Sequence, residues 1–285
     1  MTCEEGLVQA AGEPRETTER TGRAVLAATI AGSSMTFIDG TVVNVALPVL
    51  RRQLAASDFE LQWIMESYML LLASLILVGG ALGDRFGRRR VFVAGTVVFA
   101  LASAACGLAP SAAALIGARA VQGVGAALLV PGSLALISAS FTKEKRGRAI
   151  GTWAAGTSMA AGLGPVLGGW LVEAVSWRWI FLLNLPLAAL VVTIAWWRVP
   201  ESRGARVASI DWKGALLATS GLCALVWALT AGGLHGFGAA SVPAGLAASV
   251  VLLAAFVWLE GRVADPMLPL RLFRSRTFAG ANLLT

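Results

Sequence analysis

Apolar residues in this chain come in unbroken runs rather than in alternation with polar ones. Eight such runs can be marked, at about 24 to 49, 62 to 82, 91 to 109, 112 to 138, 149 to 171, 177 to 197, 212 to 231 and 241 to 259. Each is roughly 20 residues, the length that carries a helix across a hydrocarbon core of about 30 Å. They are apolar all round instead of at every second position, which argues against a membrane β-barrel. The pattern predicts an all-α polytopic membrane protein. Composition agrees, because 57% of the 285 residues are hydrophobic and only 14% charged, outside the range of ordinary soluble domains.

The polar stretches divide the chain. Residues 1 to 23 read as a disordered tail, with five glutamates set against Arg15, Arg20 and Arg23. No apolar core follows a basic start there, so the first run is expected to insert as an uncleaved anchor. Residues 24 to 197 hold six spans, 198 to 211 a linker, 212 to 259 two further spans, and 260 to 285 a connection into a ninth span that stops after about one apolar turn.

The net charge of +7 would suit a nucleic-acid partner if the positive residues formed a patch, but they do not. Lys and Arg gather in the tail and in the connections after spans two, four, six and eight, whereas the opposite side has only Arg51, Arg52 and Arg178. The positive-inside rule makes the tail and these connections cytoplasmic, in the cell inner (plasma) membrane. The basic balance thus reports topology, adds some attraction for anionic lipid, and gives no reason for a nucleic-acid partner. Cys3, Cys106 and Cys223 are isolated, without metal-ligand spacing, and are expected to be inert. His235 falls in a glycine-rich outer connection and reads as a loop residue. Trp63, Trp170, Trp177 and Trp179 near outer span ends, and Trp196, Trp197, Trp212 and Trp258 near inner ones, form an aromatic belt. No nucleophile, metal cluster or phosphate loop is visible, so an enzyme and a bound cofactor are not expected.

Three constellations carry chemistry. The connection between spans two and three packs Gly80, Gly83, Asp84, Arg85, Gly87, Arg88, Arg89 and Arg90 into a short charged segment. A solvated turn explains the arginines but neither the acid nor the glycine spacing; a carboxylate at a helix end can pair with an arginine or cap a neighbouring helix. Inside span four lies Arg119, with Gln122 and Gly123 following. A buried intramembrane arginine needs a partner or a wet cavity, while one about two turns from the edge can also snorkel. Asp39 in span one lies about 22 Å from the inner edge and Arg119 about 10 Å below the outer one, which matches their depths if the helices are adjacent. Thr41 and Asn44 add polar groups near Asp39 that can line a cavity or simply join helices. Glu66 in span two either lines a cavity and attracts cations or faces water. In span five, Gly156, Ala160, Gly164 and Gly168 recur every four residues with Pro165 and Gly169 alongside, a stripe on which helix backbones can touch.

These segments together resemble the major facilitator superfamily, in its fourteen-spanning drug:proton antiporter branch. Gly80 to Arg90 is similar to the family's G-x-L-x-D-R-x-G-R-[RK]-R loop, which implies a gate latch centred on Asp84. Arg119, Gln122 and Gly123 resemble the R-x-x-Q-G motif linked to proton handling, and residues 39 to 48 the D-x-T-x-x-N-x-A-L-P motif of the branch. The resemblance implies a proton-coupling pair of Asp39 and Arg119, with Asn44, Thr41, Glu66 and Gln122 near the substrate. Burial favours the neutral carboxyl and a neighbouring arginine the ionised one, so displacing Arg119 would switch proton occupancy at Asp39. Gly156, Gly164, Pro165, Gly168 and Gly169 resemble the antiporter motif, which implies coupled exchange.

The resemblance implies an N-terminal six-helix bundle of three plus three inverted repeats, two further spans and a truncated ninth. On this expectation the chain is the N-terminal portion of a proton-coupled exporter of small lipophilic or cationic compounds. Its partners would be the lipid bilayer, the substrate, protons and the missing C-terminal helical bundle, with the proton motive force as energy source. Alternatives are a facilitator-type importer or metabolite transporter, disfavoured by the span-five pattern, and a transport-incompetent membrane fragment.

Overall fold

The computed structural model describes residues 19–204, 211–239 and 241–263. Most of the expected tail, part of the 198 to 211 linker, the start of a ninth span and Cys3 therefore lie outside the described residues. The chain divides into two compact units, Met1–Val207 and Ala208–Thr285.

The first unit holds α1 Glu19–Leu54, α2 Asp58–Phe86, α3 Arg88–Gly107, α4 Ala112–Ser140, α5 Lys143–Ala174, the single turn α6 Trp179–Leu182 and α7 Asn184–Arg198. Their starts follow from capping residues. Ser57 accepts from the Glu60 N–H at 3.3 Å and the Glu60 carboxylate accepts from the Ser57 N–H at 2.9 Å, a reciprocal box that opens α2. Ser111 opens α4 by accepting from the Ala114 N–H at 3.2 Å.

The main contacts among these helices, that between α2 and α3 apart, map onto themselves when spans one, two and three are exchanged with four, five and six. The α1–α5 contact has its counterpart in α2–α4, the α1–α7 contact in α3–α4, and α3–α7 and α1–α4 are their own counterparts. That is the contact set of two inverted three-helix repeats. Glycines set the closest approaches. A Cβ on Gly123 would fall 2.5 Å from the Tyr68 carbonyl, and one on Gly79 would overlap the carbonyl of Ala127. Pro131 removes the helical N–H that would otherwise bond that Ala127 carbonyl.

Seven helices among the described residues are long and apolar enough to cross a membrane, where the apolar runs predict eight spans. The difference is α5. It has 32 residues and lies along α1, so length is not the reason; its many glycines and its basic first turns lower its apolarity. The segment from Gly80 to Arg90 is also corrected, because α2 runs through Phe86 and α3 begins at Arg88. Gly87 alone, with φ of 112°, makes the turn, a conformation open to glycine because it lacks Cβ. Trp177 is not an interfacial anchor: it is fully buried, edge-on to Phe181, and its Nε1–H donates to Gln53 Oε1 at 2.8 Å.

The second unit pairs α8 Trp212–His235 with α9 Ser241–Glu260. Asp211 opens α8 by accepting from the Gly214 N–H at 2.9 Å. Gly221 admits Leu252 and Leu253, and Gly245 admits Trp227 and Ala228, so small residues again set the helix spacing. His235 is the last residue of α8 and not a loop residue; its side chain lies outside the described residues.

Candidate functional site: a buried carboxylate network

The first unit has two apolar clusters. One gathers around Met35, Phe92 and Phe99, the other around Leu50, Leu115 and Trp177. Tyr68 belongs to the first and Phe181 to the second, and the Arg119 guanidinium lies 4.2 Å from the Tyr68 ring centroid and 5.9 Å from that of Phe181. An arginine seated between two greasy clusters must satisfy its donors locally.

It does so. Arg119 forms an ion pair with Asp39, both side chains being essentially excluded from solvent. Its Nη1–H also donates to Gln122 Oε1 at 2.8 Å, and its Nε–H to the Ile64 carbonyl at 3.1 Å. Asp39 Oδ2 accepts from Arg119, while Oδ1 accepts from Gln122 Nε2 at 2.9 Å and from Asn184 Nδ2 at 3.4 Å. Ser103 joins the two amides: its Oγ accepts from Asn184 at 2.9 Å and from Gln122 at 3.2 Å, and donates to the Phe181 carbonyl at 3.0 Å. Cys106 closes the cluster with its thiol 3.5 Å from Gln122 Oε1. Five of the six bundle spans contribute, and every donor aimed at Asp39 suits its ionised form.

The other expected site residues are placed as follows. Gln122 lies inside this network and is fully buried. Thr41 sits at the α1–α5 seam, where its hydroxyl donates to the Ile38 carbonyl at 2.9 Å and to the Ala161 carbonyl at 3.2 Å. Pro165 leaves that Ala161 carbonyl without its helical N–H, so the threonine supplies the missing donor. Gly164 makes the approach possible, since a Cβ there would overlap Thr41 Oγ1, and Gly168 admits Val42 in the same way. Gly156 lies against Ile30, and Gly169 loosely against Val45. Asn44 is exposed, with Nδ2 3.4 Å from the Gly40 and Thr41 carbonyls of its own helix. Glu66 is half-buried and accepts from Gln62 Nε2 at 2.8 Å.

At the basic end of the bundle, Arg88 Nε–H donates to Asp84 Oδ1 at 2.8 Å within an ion pair whose side chains are 20% and 39% exposed. Arg85 lies over the ring of Phe86 at 5.5 Å. Gly80 admits Pro131, and Gly83 backs onto Arg88. The segment after α7 is laid on this turn: Glu201 accepts from the Arg89 N–H at 3.0 Å and lies 3.7 Å from both Arg89 and Arg90 side chains. Ser103, Tyr68 and Glu201 were not among the expected site residues, and Asn184, which fits the drug-exporter pattern as Asn184-Leu185-Pro186, had no site role assigned, although it is an amide inside an otherwise apolar run.

Residues 29–275 match the model of the Major Facilitator Superfamily. The multidrug resistance protein Stp of Mycobacterium tuberculosis is 43% identical over 261 residues, which is 91% of this chain and 49% of that protein. The methylenomycin A resistance protein of Streptomyces coelicolor is 42% identical, over 89% of this chain and 53% of its own length. The tetracenomycin C resistance and export protein of Streptomyces glaucescens is 37% identical, over 91% and 48%. The chain thus spans about half the length of these relatives. Among solved structures, the peptide transporter POT in a mutant complex with sulfate superposes with a TM-score of 0.63 at 17% identity, covering 93% of this chain and 57% of that one. A bacterial homologue of the human lysosomal transporter Spinster gives 0.54 at 20% identity, over 86% and 62%. At such identities these two structures bear on the fold alone.

Proposed function

Because the chain belongs to the Major Facilitator Superfamily, we propose that the full-length protein exports small lipophilic or cationic compounds in exchange for protons. The relatives' names, two for drug or antibiotic resistance and one for resistance and export, support efflux. The observation that carries the coupling is the dry network around Asp39. An ionised carboxylate here takes donors from Arg119, Gln122 and Asn184. Protonation turns one acceptor oxygen into a donor and removes the charge facing Arg119. The guanidinium then keeps the Ile64 carbonyl, Gln122 Oε1 and the Tyr68 face as its remaining partners. Separation of α1 from α4 becomes easier with the pair discharged, and separation lets water and protons reach Asp39.

The distribution of basic residues favours a cytoplasmic N-terminus and a latch end, around Asp84, on the cytoplasmic face of the inner (plasma) membrane. Asp84 and the arginines after it would hold that end closed against the second helical bundle of the full-length protein. Entry of one proton charge releases about 2.3 kcal/mol per 100 mV, which can drive a substrate outward against a modest gradient.

Inverted vesicles carrying the full-length protein test this reading. Acidifying their interior should drive accumulation of a lipophilic cationic dye, collapse of the pH gradient should stop it, and Asp39→Asn should abolish the gradient dependence. Dye movement that ignores the gradient would remove the antiport claim, and proton-driven movement unaffected by Asp39→Asn would remove Asp39 from the coupling role.

A further inference from the structure

Asn184, the first residue of α7, donates to Asp39 Oδ1 at 3.4 Å and to Ser103 Oγ at 2.9 Å. The other end of α7 meets the Asp84 turn. The Trp196 ring lies 5.5 Å from the Arg89 guanidinium, and the Val199 carbonyl accepts from Arg89 Nη1 at 3.2 Å. Beyond it the chain is pinned to the backbone of the turn. Glu201 accepts from the Arg89 N–H at 3.0 Å, the Ser202 carbonyl accepts from the Arg88 N–H at 2.8 Å, and the Gly204 N–H donates to the Asp84 carbonyl at 3.1 Å. The fit leaves no slack, since a Cβ on Gly87 would fall 2.8 Å from the Glu201 carboxyl carbon and one on Gly204 2.8 Å from Asp84 Cβ.

Between these ends runs one helix of 15 residues, about 22 Å at 1.5 Å per residue. Pro186 lies in its first turn, where no helical N–H is needed. Ala188, Val191 and Ala195 form its buried stripe, and α7 packs on α1 and α3. A short helix with a small, close-packed face moves as a unit. A parallel route exists in α4, which holds Arg119 and Gln122 and whose Ala135 carbonyl accepts from Arg88 Nη1 at 3.4 Å. That is one long bond to a side chain, whereas the segment after α7 holds the backbone of the turn by three shorter ones.

We propose that α7 is the link between proton site and latch, with Asn184 and Glu201 as positioning residues at its two ends. Discharge of Asp39 frees Asn184, α7 shifts along its stripe, and Glu201 carries the shift to the turn that presents Asp84. The proposal rests on Asp39 being the proton site. The charged or titratable groups facing Asp39 are Arg119 from α4, Tyr68 from α2 and Cys106 from α3; α7 brings the neutral Asn184. Those at the latch end are Arg85, Arg88, Arg89, Arg90 and Glu201.

The test uses the full-length protein with its native cysteines replaced and Phe86→Cys, an exposed position beside Gly87, as reporter. Labelling by a membrane-impermeant maleimide is followed against pH in inverted vesicles, with Asp39→Asn correcting for titration of the thiol itself. The corrected rate should change by about fivefold or more. Asn184→Ala and Glu201→Ala should each flatten it, the double variant should be no flatter than the stronger single, and Glu201→Gln, which keeps an acceptor, should restore part of it. Glu201 is 24% exposed and lies beyond the end of α7, away from the Asp39 network, so its variants report even if Asn184→Ala fails to fold. A full pH response surviving Glu201→Ala would overturn the link while leaving Asp39 as proton site. A response identical in the parent and in Asp39→Asn would overturn both.

Discussion

The bundle contains two aspartate–arginine pairs in opposite surroundings. Asp39–Arg119 is 0% and 1% exposed, joins α1 to α4, and is held by the Ile64 carbonyl of α2 and the side-chain amides of Gln122 on α4 and Asn184 on α7. Asp84–Arg88 is 39% and 20% exposed and joins residues four apart across the turn between α2 and α3. Chemically the two are alike; what separates them is water. In the partly exposed pair, solvent reaches both partners and can stand in for either, so its net worth is about 0–1 kcal/mol and falls with salt. In the buried pair nothing replaces a lost partner, so breaking it leaves a stranded charge. The lesson is a division of labour: the buried pair can store a protonation state, and the exposed one can engage and release a partner cheaply.

The largest expected effect breaks the buried side of this contrast. Arg119→Ala should destabilise the protein by about 3–5 kcal/mol in detergent unfolding, and adding Asp39→Asn should recover much of it because no charge is then stranded. Additive losses would mean that the pair is not the reason for the cost. Next comes the seam that carries Asp39's helix. Gly164→Ala should lose about 1–3 kcal/mol by forcing Thr41 away, whereas Gly162→Ala, where a Cβ meets nothing, should be near neutral; equal losses would show that the seam is not close-packed.

A third carboxylate sharpens the comparison further. Glu60 is partly exposed, and a hydrogen bond from the Ser57 backbone N–H, then one from its hydroxyl, holds its carboxyl below the usual range. A depressed carboxylate stabilises the fold above its unfolded titration range, and that contribution disappears as pH falls through the lowered folded value. Ser57→Ala should therefore cost about 1 kcal/mol near neutral pH, with the difference from the parent shrinking on acidification. A gap that widens in acid would contradict the sign. The smallest effect is Asp84→Asn, expected to change unfolding stability by about 1 kcal/mol or less. A loss as large as that from Arg119→Ala would erase the distinction between the pairs.

Much of this contrast was legible in the residues. Asp39 and Arg119 sit at matching depths by simple counting along two helices, and the structure joins them. Asp84 and its arginines were legible as a charged turn, but not its length, because a single glycine at positive φ replaces a loop. The resemblance implies Thr41 and Gln122 near the substrate; in the structure Thr41 lies 3.2 Å from the Ala161 carbonyl that Pro165 deprives of its helical N–H, and Gln122 belongs to the buried network. The partners of Ser103 and Asn184 were not legible because a lone polar residue in an apolar run points to none, and these acquire theirs from residues 19 to 145 positions away. Glu201 was invisible for the same reason, since its contact with Arg89 spans 112 positions. Span periodicity and motif spacing are local, whereas these bonds exist only after the bundle closes.

The central claim is that Asp39, held between Arg119, Gln122 and Asn184, is the group that takes up and releases the proton. Infrared difference spectra of the full-length protein in lipid, recorded between mildly alkaline and mildly acidic pH, test it most directly. A carboxylic-acid carbonyl band is expected to grow on acidification, at the low frequency of a strongly hydrogen-bonded acid, and to be absent in Asp39→Asn. The same band persisting unchanged in Asp39→Asn would contradict it.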